Sequence, residues 1–225
     1  MSSLFQRCLG AEFDRLHPQV QRRFSVGLVS GQACIGQGTM NRIWHGRSFV
    51  KPFLALGGHR NILLPRAGRD IPFTIENVPY RDSHGRETVT FVRTFAFPRG
   101  PRRFDATMVF DPDRGCIVDY LGTHQHLASD LYVHADDDGA IVIRSGSHRF
   151  REGIVDAEVP ALIGGDAVVR ESYDDEAGCF RIQVRVTNRY FGPLFGYEGT
   201  FTADYLPASQ ALRPDLRPVR EETRV

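Results

Sequence analysis

The sequence predicts a mainly β (α+β) protein, an antiparallel β-barrel-like or strongly curved sheet of about 9–10 strands with short N-terminal helices. Three observations predict it. The apolar period changes from near 3.6 to 2 after residue 70. Turn chemistry then recurs roughly every 8 to 15 residues, and no strand–helix–strand rhythm interrupts it. A sheet this consistently amphipathic must cover its apolar face, and the helices are too few to do so, which favours closure of the sheet on itself.

Taken in order, Leu4, Phe5, Cys8 and Leu9, then Phe13, Leu16, Val20 and Phe24, recur at three and four residues. They predict two short helices, with Pro18 directly after His17 in the first turn of the second. The run CIGQGTMNRIW, residues 34–44, is punctuated by glycine and reads as a strand with a bend, Met40 and Trp44 sharing a core face. Residues 48–57 read as a helix capped by Ser48 and ended by Gly57 and Gly58. Alternating stretches follow: IPFTIENV, TVTFVRTFAF, RFDATMVF, CIVDYL, LYVHA, AIVIR, AVVRESY, FRIQVRV and YEGTFTADY. Between them stand turn sequences such as RDSHGRE, DPDRG, DDDG and DDEAG. FRIQVRV is the clearest strand, with Phe180, Ile182, Val184 and Val186 on one face and Arg181, Gln183 and Arg185 on the other. Residues 1–206 are expected to form a single β-rich domain, and 207–225, rich in proline and charge without a period, a disordered tail.

Composition excludes more functions than it selects. The chain has 225 residues, 41% of them hydrophobic, enough for one sizeable core. Lys+Arg 28 against Asp+Glu 27 leaves a net charge of +1, without the basic footprint of a nucleic-acid binder. No run approaches the ~18 apolar residues needed to cross a bilayer, and MSSLFQRCLGAEF does not read as a secretory leader, so a cytoplasmic protein is expected. Cys8, Cys34, Cys116 and Cys179 show no CxxC or paired spacing, which indicates neither a zinc knuckle nor a disulfide framework. GxSxG, Walker, HExxH and dinucleotide signatures are all missing, and no cofactor is expected. The single lysine, Lys51, is the one candidate for imine chemistry.

What remains is polar residues on apolar strand faces. In TVTFVRTFAF the apolar face runs Val89, Phe91, Arg93, Phe95, Phe97, which points Arg93 inward between two phenylalanines. An arginine keeps its charge, and burying it unpaired costs several kcal/mol. Asp119, between Ile117 and Leu121, is the nearest answering acid by the same parity. Three outcomes are open: a structural ion pair, an arginine whose head reaches water, or one left free for the carboxylate or enolate of a ligand. Tyr197 shares an inward face with Phe201, Ala203 and Tyr205, so its phenol either lines the same pocket or simply packs. His124, His126, Asp130 and His134 share one parity, but it opposes that of Leu121, Leu127, Leu131 and Val133, which places the histidines on the solvated face and argues against a metal site. His148 is isolated near a strand end.

The stretch VVRESYDDEAGCFRIQVRVTNRYFGPLFGYEGTF, with LGAEFDRLHPQVQRRFS near the start and VRTFAF between, resembles the uncharacterised bacterial family known as domain of unknown function 4166. The resemblance spans residues 4 to 205. Its landmarks are FDRLHP, a G-x-G, the R-x-F of Arg93 and Phe95, the acid Asp119 before Leu121 and Gly122, and a closing Gly196-Tyr197-x-Gly199. Phe91 stands where the family has tryptophan, and Asp119 where it has glutamate. The resemblance implies a β-rich domain, in some cases attached to or encoded beside oxidoreductase-type proteins, and names no activity.

The expected function is a cytoplasmic barrel that binds an amphipathic small molecule. Its apolar body would sit among Phe91 and Phe95, and its anionic or enolic head against Arg93, with Asp119 and Tyr197 nearby. The rivals are an enzyme of decarboxylase, cyclase or isomerase type on the same barrel, and a module that partners an oxidoreductase.

Overall fold

A computed structural model describes residues 2–46, 60–62, 64–162 and 164–225. Lys51 and the helix expected over 48–57 lie outside the described residues.

The N-terminal segment folds as its period demands. Helix α1 (Leu4–Leu9) opens with a capping box, in which Ser3 and Gln6 satisfy each other's backbone amides. A 3-10 turn (Gly10–Arg15) leads to α2 (Pro18–Phe24), capped by His17 with Pro18 at its first position. Leu4, Phe5, Leu9, Phe13, Val20 and Phe24 are buried in the main core. His17 N–H donates to the carbonyl of Gly139, and the rings of Phe5 and Phe91 lie 6.0 Å apart, so the helices cover one end of the sheet.

The strands are β1 (Gln32–His45), β2 (Gly68–Asn77), β3 (Pro79–Arg81), β4 (Glu87–Phe95), β5 (Arg102–Asp111) and β6 (Cys116–Leu121). They continue with β7 (Leu127–Ala135), β8 (Ile141–Glu152), β9 (Val155–Glu158), β10 (Asp166–Asp174), β11 (Cys179–Asn188) and β12 (Gly192–Pro207). The hydrogen-bonded order runs β10-β11-β12-β1-β2-β4-β5-β6-β7-β8, and β8 pairs β10 from Ile141↔Glu171 to Arg144↔Val168. The result is a closed antiparallel barrel of ten strands, in which the ladder β1–β12 joins the two halves of the chain. Closure removes the free edges that so large an amphipathic sheet would otherwise expose. β3 is an appendage of β4, and β9 the hairpin partner of β8; neither is announced by a long alternating run.

Two expectations need correction. Met40 is fully buried, but Trp44 faces outward, because the β1–β12 register slips between Thr39 and Arg42 and the bulge reverses the parity. The Trp44 ring packs over Gly196 instead, where a Cβ would come within 2.3 Å of the indole. The tail is also ordered. A short helix α3 (Ala208–Ala211) and Leu216 form a second core with Ala33, Val78 and Val92 on the outer face of the sheet. Farther on, buried Glu222 accepts from Arg224 Nε at 2.7 Å, and the Glu222 carbonyl accepts from Arg86 at 2.6 Å. Proline and charge read as disorder only while their partners on the barrel wall are unknown.

Candidate functional site

The inner face of the barrel closes around a cavity of about 140 Å3. Its wall is chiefly apolar, with Ile75, Phe104, Leu131, Val184 and Phe195 among the lining side chains. Phe91, Arg93, Asp119 and Tyr197 all border it. Phe95 stands one layer back, its ring edge-on to Tyr197 at 5.2 Å.

Register places each group. Arg93 on β4 stands between Ile75 on β2 and Phe104 on β5, and its guanidinium lies 4.9 Å from the Phe104 ring centroid and 5.9 Å from that of Phe91. These cation–π contacts hold the head in place. They satisfy no N–H, and Nε is buried without a hydrogen-bond partner. Asp119 on β6 is 8% exposed, and its Oδ1 is likewise unpartnered. No hydrogen bond or ion pair within 4.0 Å joins it to Arg93, so the structural pair does not form. Burial pushes the Asp119 carboxyl up to about 7, and the charge of Arg93 draws it back only in part. Tyr197 on β12 is fully buried with its hydroxyl unpartnered. Burial raises its phenol, again against the pull of Arg93.

A second set of buried charges lies at the helix-covered end, and the sequence reading overlooked it. Arg23 on α2 donates through Nε to Glu171 on β10, and through Nη1 to Asn77 Oδ1 at 2.7 Å and to Cys34 Sγ at 3.2 Å. Burial works against the Arg23 charge, but Glu171 and Cys34 outweigh it and hold the guanidinium above its ordinary value. Here the ion pair does form, and it ties the helical cap to the barrel. Ser129 and His148 also line the cavity. His148 escapes a strict period of two because the β7–β8 register shifts between Ser129 and Leu131, which turns His148 to the inner face.

His126, by contrast, stays on the outer face, buried beneath the tail between Glu152, 2.6 Å from its Nδ1, and Arg220. Among the described residues no group of three or more His, Cys, Asp or Glu is placed to hold a metal ion, and no helix is long and apolar enough to cross a membrane.

Fold and interior together define a closed antiparallel β-barrel with an internal chamber, the architecture that at about this strand number leaves room for one small molecule. The chain belongs to the family described as Domain of unknown function (DUF4166), whose model matches residues 16–201. It is similar to the "Uncharacterized protein YndH" of Bacillus subtilis (strain 168), with 33% identity over 201 residues, 89% of this chain and 97% of that relative.

Proposed function

We propose that the barrel binds a small amphipathic anion in the cytoplasm, apolar body in the chamber and anionic or enolic head on Arg93. One observation carries this reading: a buried guanidinium whose Nε has no partner borders a chiefly apolar chamber, in which the other lining arginine, Arg23, is already paired with Glu171. A charge so placed is costly unless a counter-charge visits it. The volume bounds the ligand. An apolar cavity of about 150 Å3 accommodates benzene, so the occupant is on the order of one ring or a short branched chain. An acid–base enzyme on the same barrel is the second reading, favoured by the Asp119 carboxyl near 7, where a group can both give and take a proton.

Benzoate is the probe, with neutral benzyl alcohol as control. At about 100 times its Kd a ligand adds ~2.7 kcal/mol to stability, which raises Tm by roughly 5–10 °C for a chain of this size. Benzoate is expected to raise the wild-type Tm in this way and to leave Arg93→Met unmoved. Equal shifts in the two proteins would sink the reading.

A further inference from the structure

We propose that the ligand is a hydroxy acid, its carboxylate on Arg93 and its hydroxyl donating to a polar row made by Asp119, Ser129 and His148; this rests on the anion-binding reading above and adds a second anchor to it. The row is set by register. Asp119 on β6 stands directly opposite Ser129 on β7, and Ser129 directly opposite His148 on β8. Residues so opposed keep their Cβ atoms about 4.5–5.5 Å apart. All three line the chamber. The neighbouring inward positions on β6 and β7 are Ile117, Leu121, Leu127 and Leu131, and on β8 Ser145, whose Oγ already accepts from the Ala167 amide, with Ile143 beyond it, so the row is a polar band in a mostly apolar wall.

The hydrogen-bond sense of the row follows from its fixed partners. His148 Nε2 lies 2.8 Å from the Gly165 carbonyl, which can only accept, so Nε2 carries the hydrogen. In the neutral ring Nδ1 is then an acceptor, and Nδ1 is buried without a donor. Asp119 Oδ1 is a second buried atom without a partner. Ser129 can give or take: its hydroxyl meets only the Asp130 carbonyl, at 3.3 Å. Two atoms of the band, His148 Nδ1 and Asp119 Oδ1, thus await a donor. A second carboxylate would face the acceptors and be repelled, and an ammonium would bring a second cation towards Arg93. A hydroxyl supplies the proton with neither conflict, and a chamber this small leaves about one ring between the two anchors.

Calorimetric titration at pH 7.5 with benzoate, 3-hydroxybenzoate and 4-hydroxybenzoate tests this on wild type, Ser129→Ala and His148→Phe, each first shown to melt cooperatively. The better hydroxybenzoate is expected to bind wild type about tenfold more tightly than benzoate, the worth of one good hydrogen bond. In His148→Phe that ratio should fall below about threefold while the benzoate Kd stays within about threefold of wild type; Ser129→Ala, the milder change, should lower the ratio in the same direction. Equal binding of all three acids to wild type, or a ratio that survives in both variants, overturns the hydroxy-acid assignment and leaves anion binding standing. Failure of all three acids to bind wild type removes the anion-binding reading, and this one with it.

Discussion

Glu171→Ala is expected to destabilise the protein by roughly 3–5 kcal/mol, the cost of leaving a buried charge without its partner. Glu171 and Arg23 are each 2% exposed, and the pair joins α2 to β10 across 148 residues of sequence. In the variant the guanidinium keeps Asn77 and Cys34 but loses the carboxylate that neutralises it. Folding under native conditions retains only about 5–15 kcal/mol in an ordinary domain, so the variant should lose a large part of its stability, seen as a lower urea midpoint with an unchanged m-value. Glu171→Met combined with Arg23→Met removes both charges and should recover most of the loss, because an apolar pair of similar volume is often neutral or better. A loss of unfolding free energy in Glu171→Ala of less than about 1 kcal/mol, taken as m times the midpoint shift, would show that the pair is not the clamp described.

Asp119 makes stability fall as pH rises. Its carboxyl titrates near 7 in the folded chain and, by the ordinary value for aspartate, near 3.9 in the unfolded one. Between those limits the folded state holds the proton more tightly. The contribution is therefore fully present below about pH 4 and lost as pH climbs to about 7, on the order of 4 kcal/mol in all. Asp119→Asn carries no titrating group, so its stability relative to wild type should grow by about that amount between pH 4 and pH 8. Urea unfolding of both proteins across this range isolates the effect, because other titrations are common to the pair. A parallel pH dependence in the two would mean that the Asp119 carboxyl is solvated or paired.

Much of this architecture is legible in the residues. The period of two marks nine of the ten barrel strands, and glycine and bend signals mark β1, because a sheet wet on one side must alternate. The same rule points to Arg93 and Asp119, which break an apolar face. It fails where a bulge resets the count: Trp44 is turned out and His148 turned in by single-residue slips that leave no mark in composition. Glu171 was within reach, since VVRESY sets it between Val169 and Tyr173 on the packed face. Its partner Arg23 was not, because a basic residue on a helix of seven residues looks solvated until the barrel closes over it. The tail shows the converse. Glu222 lies in a charge-rich stretch, yet is buried by arginines from the tail and from the barrel wall.

A crystal structure of the benzoate complex tests the central claim most directly. The carboxylate should sit inside the barrel, about 2.7–2.9 Å from the Arg93 guanidinium, with the ring among the phenylalanines. Benzoate found only on the outer surface, with Arg93 turned to bulk water or the chamber filled by its own side chains, would contradict it.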